Sequence, residues 1–552
     1  MRARVLNMNF LGTVSALGLA AGAAPLWAQD SELAGVEGEY LGTIELAQGK
    51  REVQTGTAIP VTVVNQDEIN DRQAGTIAEL VDSVPGVTVV NGTTPNGSGI
   101  NIRGFGANGS YGNDQKVAII IDGALSGSEE LYRIGTQQFT DPALFREVSV
   151  IRGTVGTFEY GSGIIGGALV LETKDAADIT GGEIGARFRQ TLQATTNGWA
   201  SSSILAWQPM ETVEFLANYT VRDSDDYSDG DGNLVANTAS RSDSKLVKGR
   251  FSFGDALEHS VTASWSNTYS EENSVPYDAF SGNTMFGLVN RETETNIAGL
   301  RYQWQPSGND LIDLDVWLTY SDQTIDQEDA AGGSSALLNA DHSYETTKLT
   351  AKNSMYFSTG ALTHDLVAGV DIIRKERADA NSAPGGVDER LAVFVVDDIS
   401  IGDHWIVSPS VRAETQDLTS TDGSANYDNS ALMGGLSVRY EFDNGLALFG
   451  SGAYTESMPI LDDLGTPAFM TMPERSHTFE AGASYAANDV FAGGDSLAFK
   501  VNVYETRLWD VTSYTYGGRF TSSPVERVET SGVELEAGYA LASGLYADLN
   551  AT

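Results

Sequence analysis

Cysteine is absent from the 552-residue sequence. A chain without cysteine forms no disulfide framework, no thiolate metal site and no thiol nucleophile. After the N-terminal apolar stretch, no segment stays apolar for the ~18 residues that indicate a transmembrane helix. Basic residues are also scarce, because 33 Lys and Arg stand against 75 Asp and Glu and give a net charge of −42. This balance excludes nucleic acid as a partner, since binding phosphates requires a basic surface.

The acidic charge has two interpretations. It could attract cations or metal complexes, or it could reflect a saline habitat that selects acidic, solvated surfaces, which we favour. The densest acidic stretch is Asp223 to Asn233, DSDDYSDGDGN. Its spacing has a passing likeness to a calcium loop, but the bidentate Glu at the twelfth position is missing. We therefore expect an acidic exposed loop rather than a calcium site.

Motifs that would indicate an enzyme are lacking as well. No nucleophile–base pair and no metal-ligand spacing of the kind found in hydrolases is present, so we expect neither an enzyme nor a metal site. Gly104 to Gly109 fits G-x-G-x-x-G, but Ser-Tyr-Gly-Asn follows where a dinucleotide site needs a helix. We reject a dinucleotide site on that ground.

The N-terminus has the pattern of a secretory signal. Arg2 and Arg4 precede an apolar stretch from Phe10 to Ala24, and small residues lead to a cleavage position after Ala28. A membrane anchor helix is the alternative, but the stretch is shorter than the ~20 residues that a span needs. We expect residues 1–28 to be removed and residues 29–52 to form a flexible arm.

Two regions with different periodicity follow the arm. Residues 53–180 combine short apolar runs with helix signals and predict an α+β domain. Thr76 and Glu79 form a capping box, and the helix they begin must end before Pro85-Gly86. The predicted strands of this domain are Val61 to Val64, Val87 to Val90, Val117 to Ile121, Val148 to Ile151 and Ala168 to Glu172.

From residue 181 onward the polarity alternates with period two. Val213, Phe215 and Ala217 share one face, with Glu214 and Asn218 on the other. Such stretches last about ten residues or longer, which suits a tilted strand that crosses a bilayer. Tight turns such as 443–445 alternate with long polar loops, predicted at Ser224 to Asp243, Ser270 to Asn290, Asp322 to Ser343, Arg377 to Asp388, Asp417 to Asn429 and Glu456 to Met472. This layout favours an outer-membrane barrel over a soluble sandwich or adhesin.

Four runs of the α+β region resemble the plug of TonB-dependent receptors. They are TIAELVDSVPGVTV from Thr76, NIRGFG from Asn101, VAIIIDGAL from Val117, and DPALFREVSVIRGTVGTFEYGSGIIGGALVLETKDAAD from Asp141. In the second region PERSHTFEAGASY from Pro473 and VETSGVELEAGY from Val528 are similar to late barrel strands of that family. The resemblance implies a mainly β protein, in which an antiparallel transmembrane barrel over 181–552 holds the plug, 53–180, in its lumen.

The same resemblance implies particular site residues and partners. Arg103 and Arg152 of the plug, with Glu480 and Glu534 of the barrel, match the family's plug–wall charge cluster. In the arm, Gly42-Thr43-Ile44-Glu45-Leu46-Ala47 resembles a TonB box, which TonB of the inner-membrane energising complex would bind by strand addition. Alternatively, this stretch is a plain flexible terminus, and the four charges are unrelated surface residues. A passive porin, the rival from another class, would lack plug and box.

The strand count predicts an incomplete barrel. About 16–17 strands can be recognised, against the roughly 22 of plugged transporters, and single-chain barrels close with an even number. The sequence also stops within an amphipathic run at Thr552. We therefore expect further C-terminal strands, a monomer embedded in outer-membrane lipid, and no covalently bound cofactor.

The cargo is the least determined property. The run from Tyr160 to Ile179 is most similar to the haem and haemoglobin receptor branch, so we expect haem, with a ferric siderophore as the alternative and cobalamin or an oligosaccharide behind both. The branch's FRAP-type box is not found, because Ser457-Met458-Pro459 stands in its place, and the plug has no histidine. The candidate ligand contacts are Asn108, Tyr111 and Tyr132 at the plug apices, and His342 in a loop as a possible haem contact.

Overall fold

The computed structural model of the chain describes residues 51–90, 92–107, 116–126, 140–195, 197–279, 284–378, 385–512, 515–516 and 523–552. The expected signal sequence, the TonB box at Gly42 to Ala47, and Asn108, Tyr111 and Tyr132 lie outside these residues. Among the described residues, no helix has the length and apolar character needed to span a bilayer.

The N-terminal part of the described chain is an α+β domain built on a five-stranded sheet with the order β1-β7-β8-β5-β6. All pairs in this sheet are antiparallel except β5 with β8, and β1 is an edge strand that pairs only with β7. The strands are β1 (Val61–Val64), β2 (Val87–Val90), β3 (Gly99–Ile102), β4 (Phe105–Gly106), β5 (Val117–Ile121), β6 (Ala124–Leu125), β7 (Phe145–Arg152) and β8 (Gly167–Thr173); the helices are α1 (Gln66–Arg72), α2 (Ile77–Val81) and α3 (Ala177–Thr180), with 3₁₀ turns at Pro95–Gly97 and Pro142–Leu144.

Local capping explains where the helices begin. The Thr76 side chain accepts a hydrogen bond from Glu79 N at 3.2 Å, as the capping box predicts. The reciprocal bond differs, because Glu79 Oε2 accepts from Gly75 N at 2.6 Å, one residue earlier than expected. Helix α2 ends at Val81, before Pro85-Gly86, as expected from the two breakers.

From Gly185 onward, the described residues form a closed barrel of 17 strands. Antiparallel ladders join each strand to the next in chain order, apart from a small hairpin that is inserted before β26. The barrel strands are β9 (Gly185–Thr195), β10 (Gly198–Met210), β11 (Val213–Ser224), β12 (Ser240–Phe253), β13 (His259–Pro276), β14 (Leu288–Trp304), β15 (Asp313–Asp329), β16 (His342–Thr359), β17 (Leu362–Arg377), β18 (Gly386–Ile401), β19 (Trp405–Ser420), β20 (Asn426–Glu441), β21 (Leu446–Ser457), β22 (Glu474–Asn488), β23 (Ser496–Trp509), β26 (Arg527–Ala540) and β27 (Tyr546–Ala551); the hairpin is β24 (Thr515–Tyr516) and β25 (Ser523–Pro524), and 3₁₀ turns lie at Thr284–Phe286 and Leu461–Gly465. The predicted fold class, a mainly β protein with an antiparallel barrel and an α+β plug, is confirmed, whereas the barrel that was expected to be incomplete is closed by these 17 strands.

Several predicted loops are wrong at their boundaries. Strand β13 continues to Pro276, and β15 to Asp329, well into stretches whose polarity indicated a loop. Inside β15 the side chains of Gln323, Ile325 and Gln327 are buried while the neighbours between them are less so. The ladder therefore extends past the apolar band, because its backbone hydrogen bonds do not require apolar side chains.

The α+β domain lies inside the barrel as a plug. Its largest hydrophobic core includes Val64, Leu80 and Phe145, and it continues without a break into Ile204, Leu216, Leu246 and Ile297 of the barrel wall. We call the ends of the barrel the short-turn rim, which includes residues 360–361 and 402–404, and the long-loop rim, which includes residues 330–341 and 458–473.

Candidate functional site

Arg103 joins the plug to the barrel wall. It lies between β3 and β4 with a positive φ of 55°, and Gly104 follows at 92°, so the backbone turns sharply there. The guanidinium forms two bonds to each of two wall carboxylates: 2.7 and 2.9 Å to Glu534, and 3.0 and 3.1 Å to Glu480. Its Cζ also lies 4.2 Å from the centroid of the Tyr504 ring. The structure thus brings Arg103 into direct contact with both wall carboxylates of the predicted cluster.

Burial and charge act in opposite directions on this guanidinium. The Arg103 side chain is only 1% exposed, and burial by itself lowers its pKa, but the two carboxylates raise the pKa above its ordinary value. Both edges of the buried guanidinium therefore have a carboxylate as hydrogen-bond partner. Such bidentate pairs fix orientation as well as charge.

Arg152, the fourth predicted member, has its principal carboxylate partner elsewhere. Its Nη2 lies 2.7 Å from Glu536 Oε1, whereas its Nε is 3.8 Å from Glu534. It also donates to the carbonyls of Pro60 at 3.3 Å and Pro85 at 3.0 Å. Arg152 thus ties two plug segments together and to the wall at Glu536.

The sequence reasoning missed several residues of this site. Glu536 could have been found, because it stands two positions after Glu534 and strand alternation puts both on one face. Asn502, which donates to Glu480 at 2.6 Å, carries no comparable signal. A second buried ion pair also had no signal in the sequence: Lys116 of the plug binds Glu474 at the start of β22.

A cavity lies between the plug and the wall at the long-loop rim. It has an empty volume of about 950 Å³, part of it open to solvent. The plug contributes a mostly apolar side with Tyr160, Ile164 and Val117, and Leu461 of a long loop adds to it. From the wall, four lumen-facing aromatic and basic side chains line the cavity: Tyr344, Lys375, Arg377 and Arg390. A flat ligand with apolar and anionic parts would meet both kinds of surface here.

Buried ion pairs continue from the cavity along strands β17 to β19. Arg412 lies 2.9 Å from Asp371 and 2.8 Å from Glu414, and Arg390 lies 2.6 Å from Asp388. The plug contacts this network where Ser162 donates to Glu414 at 2.9 Å. Opposite charges alternate along the network, so this side of the lumen wall is polar but locally balanced.

His342 is the first residue of β16 and is buried. Its ring is nearly parallel to that of Tyr344, with centroids 6.2 Å apart, and Tyr344 lines the cavity. The loop placement predicted for His342 is therefore corrected to the end of a strand, because the ladder to β15 pairs it with Ile325. None of the five histidines is itself a lining residue, and His342 adjoins the cavity only through Tyr344; the others are His259, His364, His404 and His477.

Metal coordination by side chains has no basis among the described residues, where no group of three or more His, Asp or Glu is placed to hold an ion. In the acidic loop, Asp229 instead accepts hydrogen bonds from Asn233 N at 2.8 Å and Asp231 N at 2.9 Å. Those bonds close a local turn around the carboxylate.

Comparison with known proteins agrees with this architecture. Residues 53–168 match the family model "TonB-dependent Receptor Plug Domain", and residues 239–552 match "TonB dependent receptor-like, beta-barrel". The "Hemin receptor" of Yersinia pestis is 25% identical over 485 residues, covering 82% of this chain and 68% of that protein.

Solved structures share the fold at lower identity. The hemophore receptor HasR of Serratia marcescens, solved with its hemophore HasA and heme, gives a TM-score of 0.72 at 18% identity, over 89% of this chain and 81% of HasR. The FrpB iron transporter of Neisseria meningitidis also gives 0.72, at 19% identity, over 89% of this chain and 79% of FrpB.

Proposed function

We propose that this chain, which belongs to the TonB-dependent receptor family, imports an iron complex, and haem in particular, across the outer membrane. Members of this family are transport receptors rather than enzymes. The observation that carries the proposal is the plug, which fills the lumen and is fixed to the wall by Arg103. A passive porin has no use for such a plug, because its lumen must stay open.

Haem is the proposed cargo on two grounds. The cavity at the long-loop rim combines aromatic and apolar side chains with charged groups of both signs: Arg390 is paired with Asp388, while Lys375 and Arg377 supply further cations that suit the carboxylate substituents of a flat ring. In addition, the Yersinia pestis relative is named a hemin receptor. A ferric siderophore is the second candidate, because the neighbours in fold include an iron transporter, and cobalamin or an oligosaccharide comes after it.

Energy for import would come from the inner membrane, since the outer membrane holds neither ATP nor an ion gradient. We propose that residues 1–28 are a cleaved signal, that residues 29–52 form a periplasmic arm, and that TonB binds Gly42 to Ala47 by strand addition. The plug would span residues 53–180 and the barrel residues 181–552, in a monomer. Ligand bound at the cavity and at Asn108, Tyr111 and Tyr132 would make the arm available for pulling.

Deleting residues 42–47 tests the transport mechanism. We expect uptake to stop while ligand binding at the cell surface persists, because the cavity is formed without these residues. An equally long deletion, residues 31–36, is the matched control and should leave uptake intact. Uptake that survives loss of residues 42–47 would favour the porin alternative.

Titration of the purified full-length protein with haemin tests the cargo. We expect a shift of the Soret band that weakens in His342→Ala and is unchanged in His259→Ala, which lies at the opposite rim. If the parent protein shows no Soret shift and a ferric siderophore rescues growth, the cargo is a ferric siderophore and not haem.

A further inference from the structure

The first described segment, residues 51–60, leads from the end of the arm into the plug; it is mostly buried, with Glu52 exposed, and belongs to no helix or strand. Pro60 O accepts a hydrogen bond from Arg152 N at 3.0 Å, but the carbonyls before it belong to no β ladder, and a buried carbonyl needs a hydrogen-bond donor. Donors come from the wall: Lys500 Nζ lies 3.0 Å from Gln54 O, 2.7 Å from Thr57 O and 2.6 Å from Ile59 O. An ammonium has three N–H donors, so these three carbonyls use all of them.

Lys500 is the centre of a row of wall side chains. Its direct cross-strand neighbours are Ser484 on β22 and Glu536 on β26. Ser484 Oγ donates to Thr55 O at 2.9 Å, and Glu536 accepts from Thr62 and pairs with Arg152. We call Ser484, Lys500 and Glu536 the wall row. It forms hydrogen bonds with five plug residues between Gln54 and Thr62.

The segment that the wall row holds is the part of the plug next to the N-terminal arm. The segment joins the N-terminal arm to β1, an edge strand held by a single ladder of four residue pairs. A pull on the arm therefore reaches the carbonyls at Lys500 before it reaches β1 or the Arg103 cluster. Because one nitrogen binds all three carbonyls, withdrawal of that one side chain frees them together.

We propose that Lys500 is a positioning residue for transport: it holds residues 54–59 against the wall, and its bonds are, among the described residues, the first plug–wall hydrogen bonds that a pull on the arm must break. The inference rests on the proposed function for the direction of the pull alone. The contacts themselves can be tested without ligand, TonB or energy.

The absence of cysteine from the chain makes the test direct, because one introduced thiol is unique. Thr57→Cys places that thiol in the held segment, and its rate of modification by a maleimide reports how often the segment opens. We expect Lys500→Met to raise this rate at least about tenfold, since three buried carbonyls lose their donor. Lys352→Met is the matched control and should leave the rate unchanged, because Lys352 contacts Glu159 in a different plug segment.

A second thiol distinguishes positioning from general support of the plug. Ala168→Cys lies fully buried in β8, away from the segment. It should remain unreactive in Lys500→Met. Equal acceleration at both sites, or no acceleration at residue 57, would overturn the proposal.

A graded variant keeps the proposal testable if Lys500→Met does not fold. Ser484→Ala removes the bond to Thr55 O, together with the bond that Ser484 Oγ accepts from Arg439 within the wall, so labelling at residue 57 should accelerate by a few-fold or less but measurably. A rate identical to the parent would then overturn the proposal. If the protein does not bind haemin, the proposed cargo is wrong, but the labelling rates at residue 57 are unaffected. Failure of the cargo proposal and failure of the Lys500 proposal can therefore be distinguished.

Discussion

Single charged residues determine how the plug is seated. Arg103 uses both edges of its guanidinium on Glu480 and Glu534, and the Tyr504 ring covers one face. A lysine in its place would offer a point charge without the planar fork, so it could not satisfy two carboxylates in this geometry. The seat of the plug therefore depends on an arginine and not only on a positive charge.

Removing one carboxylate from the Arg103 site should destabilise the folded protein. We expect Glu534→Ala to lower the free energy of unfolding by ~3–5 kcal/mol, because Arg103 and Arg152 lose a buried partner. Denaturation of the detergent-solubilised protein measures the change. Glu505→Ala is the control: this carboxylate is half-exposed beside Arg507, and its loss should cost at most ~1 kcal/mol. Equal effects of the two variants would contradict a special role for the Arg103 site.

The sequence allowed part of this site to be predicted. Arg103, Arg152, Glu480 and Glu534 stand in runs similar to a known family, and the structure brings them close together. Lys500 stands in an ordinary alternating strand, and its partner Gln54 is 446 positions away. No local pattern encodes a contact between a side chain and the carbonyls of an irregular segment, so that part of the site required the structure.

Strands and loops were predictable to different degrees. Alternation indicated β11 because its outer face is apolar, and in the structure Leu216, Asn218 and Thr220 turn inward while Tyr219 is exposed. The plug strands β1, β2 and β5 also have the predicted bounds. The ends of β13 and β15 beyond the apolar band were not predicted, because the backbone hydrogen bonds that continue these strands leave no pattern in the hydropathy of the sequence.

The loop between β21 and β22 is an ordered element with its own small core. Leu461 and Leu464 of its 3₁₀ turn pack with Met470 and with Leu418 of β19. Asp463 lies in this turn, and its burial, together with the negative charge of Glu474, raises its pKa to about 6. The folded loop therefore binds a proton more tightly than the unfolded loop does.

This carboxyl should make the loop sensitive to pH. Because the folded pKa is raised, the folded loop is favoured at pH 5 and loses stability as the pH rises through about 6. Hydrogen exchange of residues 458–473 should be faster at pH 7.5 than at pH 5, after correction for the intrinsic rates. Asp463→Asn should remove that difference. A pH dependence that persists in Asp463→Asn would assign it to another group.

The whole molecule has an outer surface suited to lipid. Along β18, Leu391, Val393 and Val395 face outward and are exposed, while Ala392 and Phe394 between them are buried. An outer belt of this kind buries its apolar side chains in hydrocarbon only when the barrel is inserted in a membrane.

A charge in this belt should hinder insertion. We expect Val393→Arg, near the middle of β18, to cost ~2–4 kcal/mol of stability in lipid bilayers. Folding into vesicles of defined lipid, followed by denaturant titration, measures it. Thr421→Arg, in the loop after β19, is the control and should change little. A tolerated arginine at position 393 would mean that this face does not contact the membrane core.

The core of the plug and its first segment, residues 54–62, are attached to the barrel by chemically unlike contacts. Towards β10, β11, β12 and β14 the plug core runs into aliphatic wall residues, whereas the wall row meets it through carbonyls, hydroxyls and charges. Water can replace polar partners once a gap begins, but it cannot replace packed aliphatic groups without a large loss. A plug under tension would thus admit solvent first at the wall row, along residues 54–62, while the aliphatic contacts of its core with β10, β11, β12 and β14 separate later.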